Sequence, residues 1–321
     1  MKIKGLNEEN IKKISSLKKE NQKTLEYRLN CYKLFKEIPL PKFGPTIDLD
    51  FDEINYYQTS DDNITNDWNK VSCPVKDEFN SLGVISSEEY MDGIGVQYQS
   101  EVIYHNMIQE LLDKNVIFTS IEDAFTRHRD LIDKYFSKIV SPKENKFTAL
   151  NGAVFSGGSF IYIPKNTKLD RPLQSYFRIS SKDLGQFERT LIIVDDNSSL
   201  HYIEGCTAKS YSTSNLHAAV VEIYVGKNST CRYSTIQNWA TNVYNLVTKR
   251  ALVEEGGTME WIDGNIGSSK TMKYPCCVLK GDGSKGTCIT ISVAKDKQYQ
   301  EQIEKIKELS KEENKDNQKG E

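Results

Sequence analysis

The chain has 321 residues, 38% of them hydrophobic and 27% charged, with a formal net charge of −3. That length supports one large domain or two ordinary ones, and the near-neutral charge argues against a nucleic-acid partner, which would call for a basic face. No apolar run reaches transmembrane length. The N-terminal MKIKGLNEENIKKI lacks the apolar core of a signal peptide, so a soluble, non-secreted protein is expected, with cytoplasmic localisation. Seven scattered cysteines, odd in number and irregular in spacing, suit reduced thiols better than a disulfide framework. No CxxC pair exists for a structural zinc site. Three sequons (Asn63, Asn197, Asn228) read as chance without a secretory signal.

Residues 7–37 predict helix: Asn7 can cap, Glu8 and Glu9 occupy the first turn, and Ile11, Ile14 and Leu17 share a stripe. Leu25, Leu29, Tyr32 and Phe35 continue the pattern until Pro39 and Pro41. The stretch from Pro39 to about Ser86 is irregular. Residues 101–114 predict an amphipathic helix, with Val102, Ile103, Met107, Ile108 and Leu111 on one side. A short strand at 116–118 follows, then a helix to about Lys138 opened by Ser120 and Asp123.

From Ala153 the pattern changes to short β runs separated by Gly, Asn, Asp and Ser. They fall at 154–163, 173–179, 190–194, 200–204, 217–225, 231–236, 243–253, 259–263, 271–279 and 287–293. Such spacing predicts a sandwich, a barrel or a β-solenoid, and pattern alone does not choose among them. The charged stretch from Lys295 to Glu321 predicts a solvated helix fraying into disorder. The division expected is therefore 1–145 as an α+β N-terminal region, 146–294 as a β core and 295–321 as a tail.

Several groups could carry chemistry. Gly281, Gly283 and Gly286 spell GxGxxG, but TCITISVA after them reads as a strand, so these are turns and not a dinucleotide site. Glu204 and Cys206, two apart in a strand, share a face. A thiol there could ligate iron or accept sulfur, although spacing alone favours a small buried hydrophobe. Gln237 and Trp239 also share a face, and Lys249 and Arg178 are long polar groups inside β runs. Together they suggest an internal polar file. Cys276 and Cys277 are adjacent and should face opposite ways. Cys31, Cys73, Cys231 and Cys288 have no supporting neighbours in sequence. Trp68 and Trp261 read as packing residues, and His217 as a satisfied core or edge histidine.

The runs NGAVFSGGSFIYIPKNTKLDRPLQSYFRI (151–179), GQFERTLIIVDDNSSLHYIEGCTA (185–208), LHAAVVEIYVGKNSTCRYSTIQNWATNVYNLVTKRAL (216–252) and MEWIDGNIGSSKTMKYPCCVLKGDG (259–283) resemble the SufB/SufD family, and SufB in particular. SufB is the scaffold subunit of the SUF iron–sulfur cluster assembly system. SEVIYHNMIQELLDKNVIFTSIEDA (100–124) is similar to the segment before its β domain. The resemblance implies a right-handed parallel β-helix behind a helical N-terminal region, followed in full members by a C-terminal helical region. It implies a non-enzymatic scaffold that works with SufD and the ATPase SufC. Persulfide sulfur comes from SufS through SufE or SufU, and a transient iron–sulfur cluster is built. Cys206 then becomes the implied sulfur acceptor, and Arg178, Gln237, Trp239 and Lys249 the implied sulfur path. Glu204 is added on chemical grounds. A flavin is associated with the family's complex, but no residue here places one.

Two departures qualify the match. Ser180 stands where many members carry Asn. The resemblance also fades near Ala294, whereas full members continue with further cluster ligands and the SufC-docking region. The chain is therefore expected to be truncated or one half of a split protein, with a fragment lacking independent scaffold activity as the alternative. A sugar-processing solenoid is disfavoured, since no paired acidic residues stand out. Abundant Lys, Asn and Asp fit a bacterial source or a plastid-type organelle.

Overall fold

The structure, a computed structural model, describes residues 1–60, 64–83, 89–295 and 297–308. The sequon Asn63 and the end of the charged tail lie outside these residues. The N-terminal region opens with β1 (Lys2–Lys4), α1 (Glu8–Leu17), α2 (Gln22–Glu37), β2 (Asn55–Gln58) and α3 (Cys73–Ser81). Asn7 and Asn21 cap the first two helices by accepting from the backbone N–H of Asn10 and Thr24. There follow β3 (Gly93–Tyr98), β4 (Glu101–Met107), α4 (Gln109–Asp113), β5 (Ile117–Ser120), α5 (Ile121–Arg127), α6 (Arg129–Tyr135) and α7 (Lys146–Val154). Ser120 caps α5 from its side chain to the N–H of Asp123, as expected.

Two N-terminal expectations change. The helix predicted over 101–114 is mostly strand: β4 pairs antiparallel with β3, and only α4 is helical. Val102, Ile103 and Tyr104 suit a pleated surface, and the open edge of β3 outweighs a stripe that also fits helical spacing. The strand predicted from 154 begins only at 159, because a capping box between Asn145 and Thr148 starts α7 just before it. That helix is buried along its length. Ala149, Leu150, Ala153 and Val154 pack on Cys31 and Phe35 of α2, and on Leu216, Ala218 and Leu246 of the β region. Gly152 allows this approach, since a Cβ there would lie 2.5 Å from the Cys31 sulfur.

The β region is a parallel β-solenoid of about five turns. Its strands are β6 (Ser159–Ile163), β7 (Leu173–Ile179), β8 (Gly185–Gln186), β9 (Arg189–Val194), β10 (Ser199–Ala208), β11 (Asn215–Val225), β12 (Thr230–Trp239), β13 (Val243–Val253), β14 (Thr258–Gly267), β15 (Lys270–Leu279), β16 (Lys285–Val293), β17 (Tyr299–Gln302) and β18 (Lys305–Glu308). One sheet runs β16-β14-β12-β10-β7-β3-β4 and the other β17-β15-β13-β11-β9-β6-β5. The chain alternates between the two, so each crossover returns a parallel neighbour. The GxGxxG glycines do lie in and beside the β15–β16 turn.

Equivalent turns stack. Asn166, Asn197 and Asn228 all adopt positive φ, and Gly256 and Gly283 take over that role in later turns. Asn197 N–H donates to Lys227 O, and Asn228 N–H to Glu255 O, so each turn is tied to the next. Two of the sequon asparagines are thus corner residues of the solenoid.

The tail also differs from expectation. Tyr299–Gln302 and Lys305–Glu308 are strands, both paired parallel with β15. Its composition favours a solvated helix, but the free backbone donors and acceptors along β15 are met by extended pairing.

Side chains alternate in and out along each strand. Toward the β9–β10, β11–β12 and β13–β14 corners the interior is apolar: Ile161, Ile192, Ile223, Ala251 and Cys277 follow one another in register. Toward the opposite corners the interior is polar, and there the candidate residues lie.

Candidate functional site

Register places the polar file. In one sheet Ser175, Glu204, Thr235 and Asp263 form one column, and Phe177, Cys206, Gln237 and Asn265 the next. In the facing sheet Gln186, His217, Asn245 and Thr271 stack, with Glu188, Lys249 and Lys273 beside them. All of these inward groups are buried. Buried polar groups persist when they are hydrogen-bonded to one another, and most of these are.

Cys206 Sγ lies 3.7 Å from Glu204 Oε1, and the Gln237 amide points at it from 4.0 Å. The other Glu204 oxygen accepts from the Tyr233 hydroxyl at 2.5 Å. Gln237 Oε1 accepts from Asn245 at 2.9 Å, Asn245 Oδ1 contacts His217 Nδ1 at 2.8 Å, and His217 Nε2 meets Glu188 Oε2 at 3.1 Å. Since Asn245 Oδ1 only accepts, Nδ1 carries a proton. The Trp239 ring packs on His217 at 4.7 Å, and Trp239, Phe177 and Ile179 form an apolar wall beside Cys206.

Farther along, Asp263 Oδ1 accepts from Lys249 at 3.0 Å and from Lys273 at 2.7 Å, and Thr235 joins the same oxygen. Lys249 also sits 4.5 Å from the Tyr233 ring centroid. This cluster of two ammonium groups on one carboxylate is fully buried.

Electrostatics follow from that enclosure. Burial, then Glu204 and Glu188, push the Cys206 thiol well above its ordinary range, with Lys273 and Lys249 acting the other way. Burial raises Glu188 despite His217. Burial alone would lower His217, but Glu188, Asn245 and Glu204 together outweigh it and the net direction is up. Burial pushes Lys273 down to about 8 against the pull of Asp263. At rest the cysteine is therefore a protonated thiol, and it needs local positive charge to become a nucleophile or a ligand.

Of the residues singled out in the sequence, the fold brings Cys206, Glu204, Gln237, Trp239 and Lys249 into one interior. Arg178 is not among them. It points outward from β7, donating to Glu78 at 3.2 Å and to Thr207 at 2.8 Å, beside Ser180. His217 is buried and satisfied, as read, yet it belongs to the polar file. Sequence reasoning missed Glu188, Asn245, Asp263 and Lys273. It also found no paired carboxylates, whereas the fold sets Glu188 against Glu204. The signal available was a polar residue on alternate positions of apolar strands, as in NLVTK. Its partners come from other turns of the solenoid.

The remaining cysteines separate by position. Cys276 and Cys277 face opposite ways: Cys277 is in the interior apolar cluster, and Cys276 lies by Arg250. Cys288, without a neighbour in sequence, meets Cys277 in space, and the two thiols interact directly. Trp261 is buried in the core, and Trp68 packs on Phe79 and Tyr104. Among the described residues no helix is long and apolar enough to cross a membrane.

Comparison with known proteins agrees with this arrangement. Residues 89–175 match the SufBD protein N-terminal region, and residues 177–313 match the SufBD core domain of SUF system FeS cluster assembly. The core match runs beyond 294 into the stretch that forms β17 and β18. An iron–sulfur cluster assembly SufBD family protein of Staphylococcus saprophyticus is 53% identical over 299 residues, which is 92% of this chain and 64% of that relative. Relatives from Staphylococcus epidermidis and Staphylococcus aureus, described in the same words, are 52% identical over the same share of each chain. The chain thus spans somewhat under two thirds of the length of these relatives. With both family regions matched in order around a parallel β-solenoid, the chain belongs to the SufBD family of iron–sulfur cluster assembly proteins.

Proposed function

We propose that the chain acts as a SufB-type scaffold in iron–sulfur cluster assembly, receiving sulfur on Cys206. The observation that carries this reading is the position of Cys206. It is a buried thiol in a hydrogen-bonded polar file that runs through an otherwise apolar solenoid. A packing cysteine has no need of two carboxylates, an amide and two lysines around it. The SufB-type assignment rests on Cys206 together with Gln237, Trp239 and Lys249, which with Arg178 are the set that the sequence resemblance ties to sulfur transfer.

In this reading a donor persulfide transfers its outer sulfur to the Cys206 thiolate. A new S–S bond forms at Cys206, the donor's S–S bond breaks, and the donor leaves as a thiolate, with no net oxidation. Lys249 and Lys273 favour the thiolate through space, and the Gln237 amide faces the sulfur. Trp239 packs beside the file, and Lys249 marks its continuation toward Asp263. Arg178, part-buried outside the interior and beside Thr207, belongs to the approach and not to the file. SufS with SufE or SufU would supply the sulfur, and SufC and SufD would complete the assembly. ATP hydrolysis belongs to SufC, and this chain contributes no enzymatic step of its own. No residue is assigned to a flavin.

Anaerobic reconstitution with ferrous iron, a persulfide donor and dithiothreitol as the two-electron reductant that takes persulfide sulfur to sulfide, in the presence of SufC and SufD, tests this. Wild type should develop the visible absorption of a cluster, and Cys206→Ala should lose most of it. Equal cluster yield from both would remove Cys206 from the mechanism.

A further inference from the structure

The sulfur-acceptor reading leaves two carboxylates beside Cys206 without a role. Glu188 Oε1 is buried with no hydrogen-bond partner, although its other oxygen meets His217. Glu204 is held by Tyr233 and the Cys206 thiol, and no lysine or arginine hydrogen-bonds either carboxylate among the described residues. An orphaned carboxylate oxygen in a low-dielectric interior is costly unless something positive faces it. One ligand atom from each of Glu188, Glu204 and Cys206 lies within 4.8 Å of the others, and all three residues are buried. Donors in one coordination sphere stand roughly 3–4 Å apart for bonds of about 2.0–2.3 Å, so small side-chain rotations close the set.

We propose that Glu188, Glu204 and Cys206 form a binding site for a divalent transition metal inside the solenoid, with His217 positioning Glu188 from behind. A thiolate with two carboxylates selects a borderline transition metal over magnesium or calcium, which prefer all-oxygen sites. The choice of ferrous iron as the natural occupant rests on the proposed function. Three protein donors leave open positions for a sulfur ligand. His217 is anchored through Nδ1 by Asn245 and presents Nε2 to Glu188, the arrangement by which outer groups orient a ligating carboxylate.

Binding is a ligand exchange without electron transfer. The Cys206 S–H bond breaks heterolytically, an S–metal bond forms, and the proton passes to water. A second proton leaves if Glu188 was protonated. The ion would add positive charge in direct contact with the sulfur and both carboxylates, where Lys249 and Lys273 act only from a distance. The iron and sulfur of a nascent cluster would then meet at one residue.

Anaerobic titration of the whole chain with cobalt(II) alone tests the site. Wild type should bind one ion and show a thiolate-to-cobalt charge-transfer band in the near ultraviolet. Cys206→Ser should lose the band. Glu188→Gln and Glu204→Gln, which keep shape, should weaken binding tenfold or more, and His217→Gln about 10- to 100-fold. Thermal unfolding of each variant separates lost binding from lost fold. Absence of the band in wild type, or unchanged affinity in both folded carboxamide variants, would overturn the proposal. Persulfide labelling of wild-type Cys206 is read separately. Labelling without a band sinks the metal site alone, and a band without labelling supports the metal site while sinking the sulfur-acceptor reading.

Discussion

In β13, Ala251 and Val253 enter a dry apolar stack, while Asn245 and Lys249 on the same face enter a hydrogen-bonded file. The same contrast holds along β10, where Leu200 and Tyr202 precede Glu204 and Cys206, although the Tyr202 hydroxyl already reaches Ser159. The ladders β10–β12, β12–β14 and β11–β13 are continuous through both halves, so in these strands the difference is one of side chains; the ladder of β11 with β8 and β9 is interrupted at Phe187 and Glu188, within the polar half. The apolar half stabilises by burial at about 25 cal/mol per Å². The polar half gains little net stability from its buried ions, since desolvation offsets their attraction. A fold that tolerates such a file through several turns points to a use for it other than stability.

That comparison can be broken most forcefully at Asp263. Replacing it with Ala leaves the Lys249 and Lys273 ammonium groups buried without their shared carboxylate. We expect a loss of roughly 3–5 kcal/mol in urea unfolding. Replacing the trio together, with Met at 249 and 273 and Leu at 263, should restore most of that stability while abolishing sulfur handling. If the apolar trio fails to fold, the file is a structural necessity and not a feature kept for function.

Two histidines, His217 buried and His105 partly buried, sharpen the comparison. His217 has both ring nitrogens partnered, whereas His105, packed on Phe118, has an unpartnered Nε2 and is pushed down to about 4 by burial. Its folded value lies below its unfolded value near 6.5. The stability it confers is therefore present above about pH 6.5 and is lost as pH falls through 4. The expected loss is roughly 3 kcal/mol, and His105→Leu should remove that part of the pH slope, as read by thermal unfolding between pH 7 and pH 4. A slope unchanged in the variant would contradict it.

In the apolar half, Ile223→Val should cost about 1 kcal/mol and leave sulfur uptake per folded molecule unaltered. A loss of uptake there would show that the halves are not independent. Smallest of all, Arg178→Ala removes a part-buried ion pair with Glu78 outside the solenoid interior. Glu78 keeps Lys209 and Ser180 as partners, so the expected change is about 1 kcal/mol or less, and calorimetry that found several kcal/mol would move Arg178 into the structural framework.

Much of the architecture was legible as turn chemistry and strand length. The limits of 243–253 and 173–179 follow from apolar and aromatic runs, the first opened after Asn242 and the second bounded by Pro172 and Ser180, and these strands form where read. Parallel stacking was not legible from periodicity, because pattern does not reveal which strand is a neighbour; family resemblance supplied it. The errors at 101–107 and 299–308 share one cause, an available sheet edge that local propensity does not encode. The site was half legible. Cys206 and Glu204 share a face by spacing, and Gln237 falls beside Cys206 only through the register of β10 on β12. Glu188 and His217 approach from the facing sheet. No spacing rule links them to Cys206. Arg178 shows the converse: a long polar group in a β run that faces out.

The central claim is that sulfur reaches a buried thiol in preference to an accessible one. Cys206 is buried and held protonated by its surroundings, while Cys73 is exposed. Site-resolved mass spectrometry after brief anaerobic exposure to a protein persulfide donor compares them directly. The account predicts the added sulfur on Cys206, with Cys73 little labelled. Label on Cys73 with Cys206 unmodified would contradict it.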